Sequence, residues 1–245
     1  MFRLNKNKTN IIISGGSKGL GKDLVNRFLS KGCNVINLSR RNKNKSDKQL
    51  SNYNVNLSSE KKTFQTVKKI KKKYDSINLI ICCVGSGKSV PIGKENKKSW
   101  DQSFSTNLFT ATNLIESYLS VYKYKRTKII LISSIAGSKI IDAPITYSVA
   151  KSALNFYGKM KSKNLAKYKI NLNIISPGNI LQINNIWHKK LKRNNRLIKK
   201  YLKKNVPLNS FCNTKQIYDL CFYLLSESGN NITGSNFVID GGQSL

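Results

Sequence analysis

The sequence predicts an α/β fold, a doubly wound parallel sheet with helices on both faces, as a single domain over residues 1–245. Three observations predict it. Short apolar runs rich in β-branched residues recur along the chain, amphipathic segments alternate with them, and a glycine-rich turn joins the first run to the first amphipathic segment.

The first run, "NIIIS" (10–14), is apolar at successive positions, as expected of a strand covered on both faces. After the glycine turn, Leu20, Leu24, Val25, Phe28 and Leu29 fall at i, i+4, i+5, i+8 and i+9, the stripe of a helix packed on a sheet. Five further runs read as buried strands: "NVINL" (34–38), "INLIICCV" (77–84), "KIILIS" (128–133), "INLNII" (170–175) and "NFVI" (236–239). Alternation of strand and helix implies right-handed crossovers and hence a parallel sheet. No internal repeat, linker or break in composition suggests a second domain. The stretch 182–205, "QINNIWHKKLKRNNRLIKKYLKKN", reads as a variable basic insertion before the last helix and strand, a substrate lid.

A chain of 245 residues with 39% hydrophobic content can bury a substantial core. It carries no apolar run of transmembrane length, and "MFRLNKNKTN" lacks the hydrophobic stretch of a secretory signal, so a cytoplasmic protein with no membrane partner is expected. Cys33, Cys82, Cys83, Cys212 and Cys221 form an odd set without metal-ligand spacing; they read as small core residues, and no metal is expected. The formal net charge of +33 raises polyanions as partners. The lysines are spread along the whole chain with abundant Asn and Ile, a pattern that codon drift toward A and T also produces. No basic stretch carries the interleaved aromatics of a stacking platform, so nucleic-acid binding beyond the non-specific is not expected.

"SGGSKGLG" (Ser14 to Gly21) follows the first strand directly and opens the first helix. Gly15 permits the tight turn, Gly19 lets backbone approach a pyrophosphate, and Gly21 allows close helix–sheet packing. Free N–H groups and the positive dipole end at the helix start then favour an anion, which makes a Rossmann-type nucleotide site the reading. Farther along, "ITYSVAK" places Tyr147 and Lys151 four residues apart, on one helical face with Cβ atoms about 5–6 Å apart. An ammonium beside a phenol lowers the phenol's pKa, which would make the pair a poised acid and base.

The order of motifs resembles the short-chain dehydrogenase/reductase family over nearly the whole chain. The glycine loop has the spacing G-x3-G-x-G; "CCVG" (82–85) stands where the family has Asn-Asn-Ala-Gly; Asn107, "ISSIAG", "YSVAK", "SPGNI" (176–180) and "ITGSNFVIDGG" (232–242) follow, and Ser134 precedes Tyr147 by the family's interval. The resemblance implies catalytic roles for four residues. Tyr147 would exchange a proton with the substrate oxygen, and Ser134 would bond that oxygen. Lys151 would hold the nicotinamide ribose and keep the Tyr147 pKa down, and Asn107 would anchor a water linking Lys151 to solvent.

The resemblance also implies a nicotinamide cofactor bound by Ser14, Gly15, Ser17, Lys18, Gly19, Leu20 and Gly21, by Asn56, Leu57 and Gly85, by Tyr147 and Lys151, and by Pro177, Gly178 and Ile180. In "LSRRN" Ser39 takes the position of the acidic residue that NAD-binding members place on the ribose, with Arg40 and Arg41 next. A guanidinium holds a 2′-phosphate that a carboxylate would repel, and Lys18 adds a second cation, so NADP(H) is expected over NAD(H).

Three departures bear on affinity: Asn56 replaces an Asp, Cys82 and Cys83 replace bracing asparagines, and Gln182 stands where a Thr often meets the cofactor. The chain is similar to 3-oxoacyl-carrier-protein reductases, whose acidic carrier suits a basic lid. Keto-sugar oxidoreductases of surface-polysaccharide or acidic-sugar pathways and generic carbonyl reductases are the alternatives. Trp187 is open between substrate stacking and lid packing, and the lone His188 is expected to face solvent. A homotetramer, or at least a dimer, on the helices carrying Asn107 and Tyr147 is implied. The reading from another class is a polyanion-binding protein on an inactive reductase scaffold.

Overall fold

The computed structural model describes residues 9–42, 47–181, 187–188 and 193–245. Among the described residues, seven strands, all parallel, form one sheet in the order β3-β2-β1-β4-β5-β6-β7. They are β1 (Asn10–Ser14), β2 (Asn34–Ser39), β3 (Leu50–Asn54), β4 (Leu79–Cys82), β5 (Lys128–Ile132), β6 (Asn171–Pro177) and β7 (Asn236–Ile239). The expected doubly wound Rossmann-type architecture is therefore present, and six of the strands lie on the six expected runs. Strand order reverses between β1 and β4, and ligands of such sheets bind in the crevice beyond the strand carboxyl ends at that point.

β3 is the strand that the apolar runs do not announce. "LSNYN" is half polar, and its hydrogen bonds come from the edge of the sheet beside β2, with Asn37 opposite Asn52. An edge strand needs less apolar surface than a central one.

Alternate residues of β1 enter different cores, which is why the run is apolar at every position. Ile11 and Ile13 pack with Leu24, Val25 and Phe28 of α1 (Gly19–Ser30) and with Ile217, Cys221 and Leu224 of α7 (Thr214–Leu225). Ile12 points the other way, into a core shared by α2 (Glu60–Lys73), α4 (Thr110–Tyr122) and α5 (Ile145–Ala166). Local chemistry sets the helix starts: Ser59 accepts from the Lys62 N–H ahead of α2, and Asn213 and Gln216 form a reciprocal capping box at α7. A second such box, Asn96 with Ser99, opens α3 (Lys97–Phe104). The basic segment contributes α6 (Asn195–Asn205), whose Asn194 side chain accepts from the Leu197 N–H.

Between α3 and α4 the helix widens into a π turn over Ser105–Phe109. Such single-turn insertions re-aim a side chain, and the residue at the centre of this one is Asn107.

Candidate active site

The carboxyl ends of β1, β2, β4, β5 and β6 open on the same edge of the parallel sheet. The glycine loop leaves β1 with Gly15 at φ +77° and Gly19 at φ +59°, conformations that favour glycine. A Cβ on Gly21 would collide with the Gly15 carbonyl oxygen, so the third glycine is set by the closeness of helix and turn. Ser17, Lys18 and Gly19 are exposed, and Leu20 packs partly into the α1-side core. Lys18 occupies the N-cap of α1 without a side-chain cap, and the first turn holds no acid. The first N–H groups are thus open to an anion, and the loop fits a dinucleotide's phosphates.

Ser14 does not meet the cleft. It is buried, and its hydroxyl accepts from the N–H groups of Cys83 (2.9 Å) and Val84 (3.3 Å). Ser14 therefore ties the end of β1 to the segment after β4, bracing backbone where "CCVG" lacks amide side chains. Cys82 is buried and Cys83 half-buried, and burial pushes both thiols up to about 12.

At the end of β2, Ser39 is also buried, with its hydroxyl donating to Asn37 Oδ1 at 3.1 Å. Its side chain is turned into the sheet, so the exposed groups at this corner are Arg40 and Arg41. They line a cleft of about 430 Å³ with Asn54, Val55, Asn56, Lys62, Gln65, Thr66 and Lys69, and no acidic side chain lines it. Asn56 is exposed, although its Oδ1 already accepts from the Ser58 N–H and hydroxyl. Leu57 is a core residue whose carbonyl accepts from Thr63 and from Asn113 Nδ2.

Ser134, Tyr147, Lys151 and Asn107 converge from three elements. Ser134 follows β5 and caps a 3₁₀ turn, Ile135–Gly137, through Ala136 N–H at 3.2 Å. Tyr147 and Lys151 stand in the first two turns of α5. Lys151 is 3% exposed, and its ammonium donates to the Ile132 carbonyl at 2.9 Å. Burial pushes its pKa down to about 8. Asn107 is 1% exposed; its Oδ1 accepts from Ser86 N–H at 2.8 Å, while its Nδ2 donates to the carbonyls of Ser103 and Ser86. A Cβ on Gly85 would stand 3.2 Å from both Asn107 Oδ1 and Lys151 Nζ, so glycine keeps the floor of the site open.

Without the cofactor charge, the pKa values of Tyr147 and Lys151 shift away from each other. Burial raises the Tyr147 pKa above the ordinary tyrosine value, and the influence that pulls it back is a hydrogen bond from the Ser134 hydroxyl. Lys151 is directed at the strand end.

Gly137 is a site residue that the sequence reading missed. Its Cβ would fall 2.7 Å from the Lys151 carbonyl carbon, so the serine turn sits directly against the helix that carries the lysine. The only signal was a glycine three residues beyond Ser134. Ser103 and Ser89 were missed too: both engage Thr146, next to Tyr147, by Ser103 Oγ to the Thr146 carbonyl (2.9 Å) and by a 2.6 Å hydroxyl pair.

In "SPGNI", Pro177 is buried at the end of β6, Gly178 N–H donates to the Ile239 carbonyl, and Ile180 pairs with Cys212. A Cβ on Gly178 would meet Asp240 Cβ at 2.7 Å. Asn179 donates to the Tyr201 hydroxyl at 2.8 Å, linking this loop to α6. Trp187 packs on Tyr201 and Phe211, with ring centroids 4.9 and 5.2 Å away, which is the lid-packing alternative. His188 is half-buried and not fully solvent-facing. Gln182 and the remainder of the basic segment before α6 lie outside the described residues. Among the described residues no His, Cys, Asp and Glu cluster could hold a metal, and no helix is long and apolar enough to cross a membrane.

Comparison with known proteins bears on the same features. The family described as enoyl-(acyl carrier protein) reductase matches residues 15–244. Among curated relatives, the 3-oxoacyl-[acyl-carrier-protein] reductase FabG of Buchnera aphidicola subsp. Acyrthosiphon pisum is 28% identical, covering 98% of each chain. The FabG of Chlamydia trachomatis is 27% identical, covering 99% of each. Among solved structures, ElxO with NADP bound superposes with a TM-score of 0.87 at 23% identity, over 96% of this chain and 98% of that one. A short chain dehydrogenase from Leptospira borgpetersenii with bound NAD+ reaches 0.88 at 23% identity, over 100% and 98%.

Proposed function

The chain belongs to the short-chain dehydrogenase/reductase family of oxidoreductases, and we propose that it is an NADP(H)-dependent enzyme interconverting a carbonyl and an alcohol. The observation that carries this reading is the convergence of Ser134, Tyr147, Lys151 and Asn107 beside a glycine loop with an uncapped helix start.

NADP(H), when bound, supplies or takes up the hydride. The chain's own residues do the rest. Ser134 and the Tyr147 hydroxyl together hold the substrate oxygen, and the phenol gives its proton to that oxygen as negative charge develops there. Lys151, fixed by the Ile132 carbonyl, presents a cation to the ribose hydroxyls, and Asn107 holds the Ser86 backbone that walls the cleft. Arg40 and Arg41, with Lys18 across the loop, receive the 2′-phosphate, which is what favours NADP(H) over NAD(H).

For the substrate we favour a 3-oxoacyl thioester on an acidic carrier. Two of the similar curated relatives are named for that substrate, and α6 exposes Arg196, Lys199, Lys200, Lys203 and Lys204. We further read residues 1–245 as one domain with 182–205 as the lid, the protein as cytoplasmic, and the assembly as a homo-oligomer. The test of substrate class is NADPH oxidation against an acetoacetyl thioester, keto sugars and simple diketones. Preference for the thioester supports the assignment, and preference for a keto sugar moves the enzyme to sugar chemistry.

A further inference from the structure

We infer that Asn42 is a positioning residue for cofactor selectivity, latching the Arg40–Arg41 corner to the sheet so that the arginines face the cleft as a pair. The inference rests on the reading above that these arginines receive a 2′-phosphate. The chain leaves the sheet at Ser39, and both arginine side chains are exposed. Neither forms an ion pair among the described residues. Two long side chains on an untethered corner would lose much rotamer freedom on gripping a phosphate.

Asn42 provides the tether. Its backbone N–H donates to Asn54 Oδ1 at 3.0 Å, and its Nδ2 donates to the same oxygen at 2.9 Å and to the Tyr53 carbonyl at 3.0 Å. Its Oδ1 accepts from Asn37 Nδ2 at 2.7 Å. The corner is thus hydrogen-bonded to β3 and β2 at once, and Asn54 is itself a wall of the cleft.

Asn37 extends the connection. It is 4% exposed, a buried amide within β2, and its Nδ2 also donates to Asn52 Oδ1 at 2.8 Å. Its Oδ1 accepts the Ser39 hydroxyl and occupies the space that a Cβ on Gly16 would need. One buried side chain therefore touches the phosphate loop and the arginine corner. Amides suit this frame better than carboxylates, because they donate as well as accept and add no negative charge beneath a phosphate site.

The test is fluorescence titration of the full chain with NADPH and with NADH, for the native protein, Asn42→Ala, Asn42→Ser and the double variant R40A/R41A. Asn42→Ala should weaken NADPH binding about tenfold, the scale of a lost hydrogen-bonded tether, and leave NADH within about twofold. Asn42→Ser, which keeps one short polar group, should fall between, and kcat at saturating NADPH should not change. Equal weakening toward both cofactors would overturn the selectivity role, as would no change toward either. If R40A/R41A also leaves the NADPH to NADH preference intact, the 2′-phosphate reading fails and takes the latch with it. If that variant loses the preference while Asn42→Ala keeps it, the latch alone fails.

Discussion

The Lys151 ammonium donates to the Ile132 carbonyl oxygen at 2.9 Å, where β5 gives way to the Ser133–Ser134 turn. The bond fixes a cation to the strand that delivers Ser134. Burial leaves its pKa near 8, whereas burial raises that of Tyr147, so the two groups titrate in opposite directions from their ordinary values. Carbonyl reduction needs a protonated phenol and a charged lysine. Its kcat/KM for NADPH should therefore be level from pH 6 to about 8 and fall above, as Lys151 loses its proton. A profile level to pH 10 would contradict the assignment of the cation.

Stability should respond to alkali with the opposite weighting. Burial raises all five thiols, so above pH 9 an unfolded chain ionises cysteines that the native chain keeps protonated. Lys128 and Lys151 work against this: each is pushed down to about 8, so the native chain is missing two protons that an unfolded chain holds up to pH 10.5. Above about pH 9.5 the five thiols outweigh the two lysines, so the native state holds more protons than the unfolded chain and stability should drop as pH rises toward 10.5. Each such proton contributes about 1.4 kcal/mol per pH unit at most. Thermal melts at pH 9.5, 10 and 10.5 check the sign; a melting temperature that rises across this range would refute it.

Gly137→Ala probes the contact between the serine turn and α5. The added methyl group would fall 2.8 Å from the Lys151 carbonyl oxygen and from Asn155 Nδ2. Forced shifts of this kind cost about 1–3 kcal/mol, so Tm should fall by roughly 3–8 °C. Turnover should fall with it, because Ser134 and Lys151 move apart. A variant that matches the native protein in both would show that the turn accommodates the methyl group.

Phe109, Val149, Phe156 and Met160, on the π turn and α5, are between 41% and 68% exposed. This apolar strip supports self-association through the helices that carry Asn107 and Tyr147. Net charge of +33 opposes it at low salt, so sedimentation should give a larger species as ionic strength rises, and Phe156→Asp should reduce it. A monomer at high salt would exclude the assembly.

The sequence is most informative where one physical demand dominates. "NIIIS" and "NFVI" coincide with β1 and β7 because unbroken apolar runs have few other uses. The glycine loop is equally readable, since positive φ at Gly15 and Gly19 excludes most residues. β3 escapes because its pairing depends on Asn52 meeting Asn37, two polar residues whose partnership exists only across strands. The burial of Ser14, Ser39 and Leu57 was hidden for the same reason: a motif gives a residue's position along the chain, while packing decides which way its side chain turns. The widened turn at Asn107 and the pressure of Gly137 on α5 belong to backbone geometry, which leaves no mark in hydropathy.

The most direct test of the central claim is NADPH oxidation with an acetoacetyl thioester by the native protein and by Tyr147→Phe, with NADPH affinity measured in parallel. The account predicts turnover in the native protein, a loss of about 100-fold or more in the variant, and NADPH affinity within about twofold. Turnover that survives the loss of the phenol, or a native protein that does not bind NADPH, would contradict it.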